Sequence, residues 1–173
     1  MLRSFNSKFL DASIIGPPPS QPGTTRFYVS GESAESFSIL SRYGLKVRIV
    51  GPHIGQASSL KMAYAAMSKD SAVLAIALLL AARRMGLCDT LVEEFKISLG
   101  ERYDWMESSM PSIPPKAGRW VGEMEEISRT FQDLNLTGLF HFGAADVYHL
   151  VAESALAWEK HPRLGTGVGL CPR

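Results

Sequence analysis

Residues 56–85 read QASSLKMAYAAMSKDSAVLAIALLLAARRM, a stretch without a single proline or glycine. Alanine, leucine and methionine dominate it, and these side chains lose little freedom in a helix. One long helix is therefore predicted. The punctuation Gly51-Pro52-His53-Ile54-Gly55 precedes it, and Gly86 stands where a C-cap is needed, with Arg83 and Arg84 at the negative end of the helix dipole. The second half is apolar all round, which marks a helix buried on several sides. Its longest apolar run, residues 72–82, is about half a bilayer span, so a core helix is expected rather than a membrane helix.

Upstream, the pattern is strand, strand, helix, strand. Residues 8–16 (KFLDASIIG) are rich in β-formers and end at the breaker Pro17-Pro18-Pro19; residues 25–30 (TRFYVS) alternate well enough for a second strand. Ser33 has N-cap chemistry for a short helix over 34–42, stopped by Gly44, and LKVRIV (45–50) alternates as a half-buried strand does. Three strands are few, and their apolar face has no evident partner, so they read as the end of a larger sheet.

Downstream the chain is helical. Asp89 can cap a helix over 90–99, and another runs over 102–109. Pro111-Ser112-Ile113-Pro114-Pro115 is a break. An amphipathic helix follows over 116–134 with Trp120, Met124, Ile127 and Phe131 on one stripe, then a last helix over 140–158. The fold class expected is mainly α: a helical bundle with a long interdomain helix, preceded by a small α/β fragment. The boundaries expected are 1–52 for that fragment, 53–160 for the helical domain and 161–173 for a mobile tail.

Bulk composition excludes several function classes. The chain of 173 residues is 46% apolar and 20% charged, an ordinary globular balance. A net charge of +1, with no basic run longer than Arg83-Arg84, gives no electrostatic case for nucleic acid. Cys88 and Cys171 match no zinc or redox spacing, and the first residues form no secretory core, so a cytoplasmic setting is expected. Gly16-Pro-Pro-Pro and Gly51–Gly55 do not fit GxGxxG, and no P-loop is present. His53, His141, His149 and His161 have no metal spacing and read as core or surface histidines. Glu123, Glu125 and Glu126 are read as lying at the head of a helix, where the dipole accounts for them.

Lys61 is the most informative residue. It stands near the N-terminus of the long helix, where the dipole disfavours its charge, and a lysine that gives up its charge can accept a proton. A solvated surface lysine is the plain alternative.

Four segments in order resemble the 6-phosphogluconate and 3-hydroxyisobutyrate (β-hydroxyacid) dehydrogenase superfamily. They are FLDASIIGPP (9–18), GLKVRIVG (44–51), ASSLKMAYA (57–65) and RWVGEMEEI (119–127), and the wording is nearest the NAD-binding phosphogluconate dehydrogenase C-terminal domain branch. The resemblance implies a Rossmann domain ahead of this region, NAD or NADP as cofactor, a small hydroxy acid as substrate and a homodimer built through the helices. It implies that Lys61 is the general base and that Asp11, Ala12, Ser13 and Gly16 lie in the substrate loop. Three departures stand out: Tyr64 and Ala65 replace two asparagines after the lysine, Ser68 replaces the glutamate of decarboxylating members, and Ile15 replaces the loop serine. Tyr64, one turn from Lys61, could offer a phenol in place of the lost amide. The expectation is thus the C-terminal portion of an NAD(P)-dependent oxidoreductase; the rival is a non-enzymatic remnant or helical dimerisation module.

Overall fold

The computed structural model describes residues 8–18, 20, 21, 23–157 and 170. The expected tail (apart from Leu170), Trp158, His161 and Cys171 fall outside them. Contacts divide the chain into two compact units, Met1–Ala65 and Ala66–Arg173.

In the first unit, strands β1 (Asp11–Ile15), β2 (Arg26–Ser30) and β3 (Lys46–Gly51) form one sheet in the order β1-β2-β3. β1 and β2 are antiparallel, with Asp11 opposite Ser30 and Ser13 opposite Tyr28. Ser13 and Ile15 are buried while Ala12 and Ile14 are exposed, the period of two that a strand imposes. β2 and β3 are parallel, which requires a crossover, and residues 31–45 supply it. The crossover helix, Ala34–Tyr43, is 3-10 rather than α, and Ser33 makes no side-chain cap. The Ser36 hydroxyl donates to the Ser33 carbonyl instead, at 2.7 Å.

Helix α1 (Gln56–Arg84) follows the prediction to within one residue. Gly86 takes φ 70, and the Leu87 N–H reaches back to the Ala82 carbonyl at 2.8 Å, closing the helix in a Schellman turn. Burial is one-sided, contrary to the expected all-round cover. Ala72, Val73, Ala75, Ile76, Leu79 and Ala82 are buried, whereas Met67, Leu74, Leu78 and Leu80 are exposed. By length and composition alone α1 could cross a membrane, and 44% of its most apolar window is buried.

In the second unit, α2 (Cys88–Ser98) and α3 (Gly100–Ser109) place Val92, Tyr103 and Met106 against Ala75 and Leu79. Asp89 lies inside the first turn of α2 and caps nothing with its side chain. The proline-rich break proves to be the start of α4 (Pro114–Asp133), because proline costs no hydrogen bond at the first helical positions. Glu123 therefore sits in mid-helix and not at a helix head, so the dipole does not account for it. α5 (Leu139–Ala152) ends well before residue 158, where a 3-10 turn, Ala155–Ala157, takes over. The short connection through residues 134–138 folds α5 back on α4, and Ala117, Met124, Ile127, Ala144, Ala145 and Tyr148 are buried there. The architecture is mainly α with a small α/β piece, as the sequence implied.

Candidate functional site

The first turn of α1 begins at Gly55, whose carbonyl accepts the Ser59 N–H at 2.8 Å. Gly55 has φ 96 and no side chain to cap the free N–H groups of that turn. Two oxygens from the sheet do so instead. Ser30 Oγ accepts the Ala57 N–H at 3.0 Å, and Asp11 Oδ2 accepts the Ser58 N–H at 2.9 Å. Ser58 Oγ donates to Asp11 Oδ1 at 2.6 Å, Ser30 Oγ to Asp11 Oδ2 at 3.3 Å, and Ser13 Oγ to the Ala57 carbonyl at 2.7 Å. Burial alone would raise the Asp11 carboxyl. The hydrogen bonds from Ser58, Ser30 and Gly55 outweigh it, and the group lies below its ordinary value.

The sequence-derived candidates thus separate. Asp11 and Ser13, on one face of β1, are brought to the turn immediately before Lys61. Ala12 is exposed on the opposite face. Gly16 is exposed at φ 122, and a Cβ there would run into the Thr24 carbonyl. Lys61 and Tyr64 are both exposed on α1, with Tyr64 at 54%. Ser30 and Ser58 were not singled out from sequence. The available signal was Gly55, a helix start with no cap of its own.

Strand β3, its loop and α1 form the strand–loop–helix arrangement that elsewhere grips a dinucleotide pyrophosphate. Here the N–H groups of Ala57 and Ser58 already hold Ser30 and Asp11, and a carboxylate stands where the anion would be. The described residues do not fit the phosphates of NAD or NADP. Nor do they include a cluster of three potential metal ligands.

The second unit carries another polar cluster, around residues 69 and 70 of α1. Lys69 Nζ pairs with Glu123 Oε2 at 2.8 Å, and Arg119 Nε with Glu123 Oε1 at 3.2 Å. The Lys69 and Lys116 ammonium groups lie 5.7 and 5.9 Å from the Trp120 ring centroid. His141 Nδ1 meets Asp70 Oδ2 at 2.6 Å, and the Tyr148 hydroxyl donates to the Lys69 carbonyl at 2.9 Å. Burial raises the Asp70 carboxyl, and the bond to His141 does not cancel it. Burial, then the charges of Asp70 and Glu123, push the Tyr148 phenol well above its ordinary value, so it remains a donor.

Residues 82–151 match the family described as Domain of unknown function (DUF1932). A conserved protein of unknown function, reported to have structural similarity with 3-hydroxyacid dehydrogenases, superposes with a TM-score of 0.69 at 27% identity, covering 83% of this chain and 55% of its own. The fold of the chain, mainly helical with a small three-stranded sheet, is thus similar to that of the 3-hydroxyacid dehydrogenases. The chain is also similar to a conserved hypothetical protein from Sinorhizobium meliloti 1021 (TM-score 0.72, 25% identity, 93% of this chain and 54% of that one). A curated relative, the uncharacterized 28.5 kDa protein in the 7S RNA 5′ region of Methanothermus fervidus, is 29% identical over 96 residues, 56% of this chain and 37% of its own length. The chain therefore spans about half the length of these two solved structures, and the aligned stretch covers little more than a third of the curated relative.

Proposed function

We propose that this chain is the C-terminal portion of an NAD(P)-dependent oxidoreductase that oxidises a small hydroxy acid, with Lys61 as general base. One observation supports this above the rest: the segment resembling a substrate loop is tied, through Asp11 and Ser13, to the helix turn that leads into Lys61. Oxidation of a secondary alcohol releases a proton from oxygen and a hydride from carbon. Lys61 takes the proton, and Tyr64, one turn along the exposed face, hydrogen-bonds the substrate. The hydride acceptor would be a nicotinamide held by a nucleotide-binding part outside the residues described here.

The test is to join the chain to the nucleotide-binding part of such an enzyme and measure turnover over a panel of hydroxy acids. Lys61→Ala should lower kcat by about 10²-fold or more while cofactor affinity stays nearly constant. Unchanged turnover would remove the assignment.

Homodimerisation is part of the same reading. It is supported by the exposed apolar side chains of the second unit, Met67, Leu74 and Leu78 on α1 and Leu139 and Phe140 on α5. Those side chains would equally serve a helical association module without chemistry. A silent Lys61→Ala in a stable dimer would favour that second reading.

A further inference from the structure

We infer that Asp11 is a positioning residue: its carboxylate acts as the N-cap of α1 from across the fold and thereby sets where Lys61 stands. The inference rests on the function proposed above for Lys61. Three observations carry it. Gly55 leaves the helix start without a side-chain acceptor. Both Asp11 oxygens are engaged, one by the Ser58 N–H and the other by the Ser58 hydroxyl, so the carboxylate is spent on the helix rather than offered to a ligand. Ser30, its cross-strand partner, donates to the same carboxylate and accepts the preceding N–H, that of Ala57.

The geometric consequence is specific. Ser13, on the same face of β1, grips the Ala57 carbonyl while Asp11 grips the next N–H, so the first turn is held by both its donor and its acceptor side. A helix start held at two points resists fraying and rotation about its axis, and rotation by one residue would swing the side chain at 61 by about 100°. A substrate anion at this helix end is excluded by the carboxylate already there. Substrate recognition is left to the exposed face that bears Lys61 and Tyr64.

The experiment uses the full chain and its form joined to a nucleotide-binding part. In the chain, Asp11→Ala should speed amide exchange at residues 57–61 by about tenfold, the effect of losing a cap, while β2 and β3 keep their protection. Asp11→Asn, which keeps an acceptor, should restore slow exchange. In the joined protein, Asp11→Ala should lower kcat by about tenfold with KM nearly unchanged, and Asp11→Asn should recover most of it. Unaltered exchange in Asp11→Ala overturns the cap. A rise in KM without loss of kcat overturns positioning and makes Asp11 a substrate ligand. A silent Lys61→Ala overturns the proposed base, and Asp11 then positions nothing catalytic.

Discussion

His141 Nδ1 lies 2.6 Å from Asp70 Oδ2, a contact between the buried face of α5 and α1 made across 71 positions of sequence. The other Asp70 oxygen is buried without a partner among the described residues. The Phe131 and His141 ring centroids lie 4.2 Å apart with the planes tilted by 58°, so the histidine is held by an aromatic ring as well as by a carboxylate. A pair of this kind penalises the loss of one member more than the loss of both.

His141→Leu should therefore destabilise the protein by about 1–3 kcal/mol, since Asp70 then lacks its hydrogen-bond donor. Asp70→Leu together with His141→Leu should cost less than the sum of the two single changes, by about 1–2 kcal/mol. Urea unfolding of the four proteins measures the coupling. Strict additivity would mean that the pair contributes nothing as a pair.

Tyr148→Phe keeps the edge-on contact with Trp120 and removes only the hydroxyl that donates to Lys69. The expected loss is about 1 kcal/mol, with the Lys69 carbonyl regaining little from water beside a fully buried ring. A loss above about 3 kcal/mol would mean that the ring packing had changed as well.

Asp11 makes stability depend on pH. Its folded value lies below the ordinary 3.8, so its contribution is fully present above that value and is lost as pH falls through the lowered one. Denaturation midpoints of the wild type and Asp11→Asn should differ by a constant amount from about pH 5 to 7, and the difference should change as pH falls below the ordinary 3.8. A difference that changes already within the range from about pH 5 to 7, or that does not change at all in acid, would contradict the bonded, ionised carboxylate.

Calorimetry with NADH and NADPH on this chain should give no binding in the micromolar range, because the α1 N-terminus is already occupied by Asp11 and no GxGxxG is present. Micromolar binding would place a nucleotide site within these residues.

Tyr64→Phe in the joined protein should raise KM about five- to tenfold with a smaller change in kcat, as for a lost substrate hydrogen bond. If KM does not move, Tyr64 does not contact substrate.

Local chemistry was enough to place most elements. An unbroken run of helix formers bounded by Gly55 and Gly86 can be little else than one helix, and alternation over 45–50 can be little else than a strand. Both are decided by neighbours within a few residues, so they are legible in sequence. The helix starts at Pro114 and Gly100, the end of α5 at Ala152 and the 3-10 winding of the crossover were not. Each depends on which competing hydrogen bond wins, and those choices differ by about 1 kcal/mol. Lys61 could be singled out because its position along a helix is a sequence property. The network at the start of its helix could not: Asp11, named only as part of a loop, meets Ser30 and Ser58 only when two strands pair in one register and deliver their side chains to a helix start. Asp70 and His141 meet only when α5 folds back. Tertiary contacts satisfied the backbone and side-chain groups that the local sequence left without partners, and that need for partners is what assembled the candidate site.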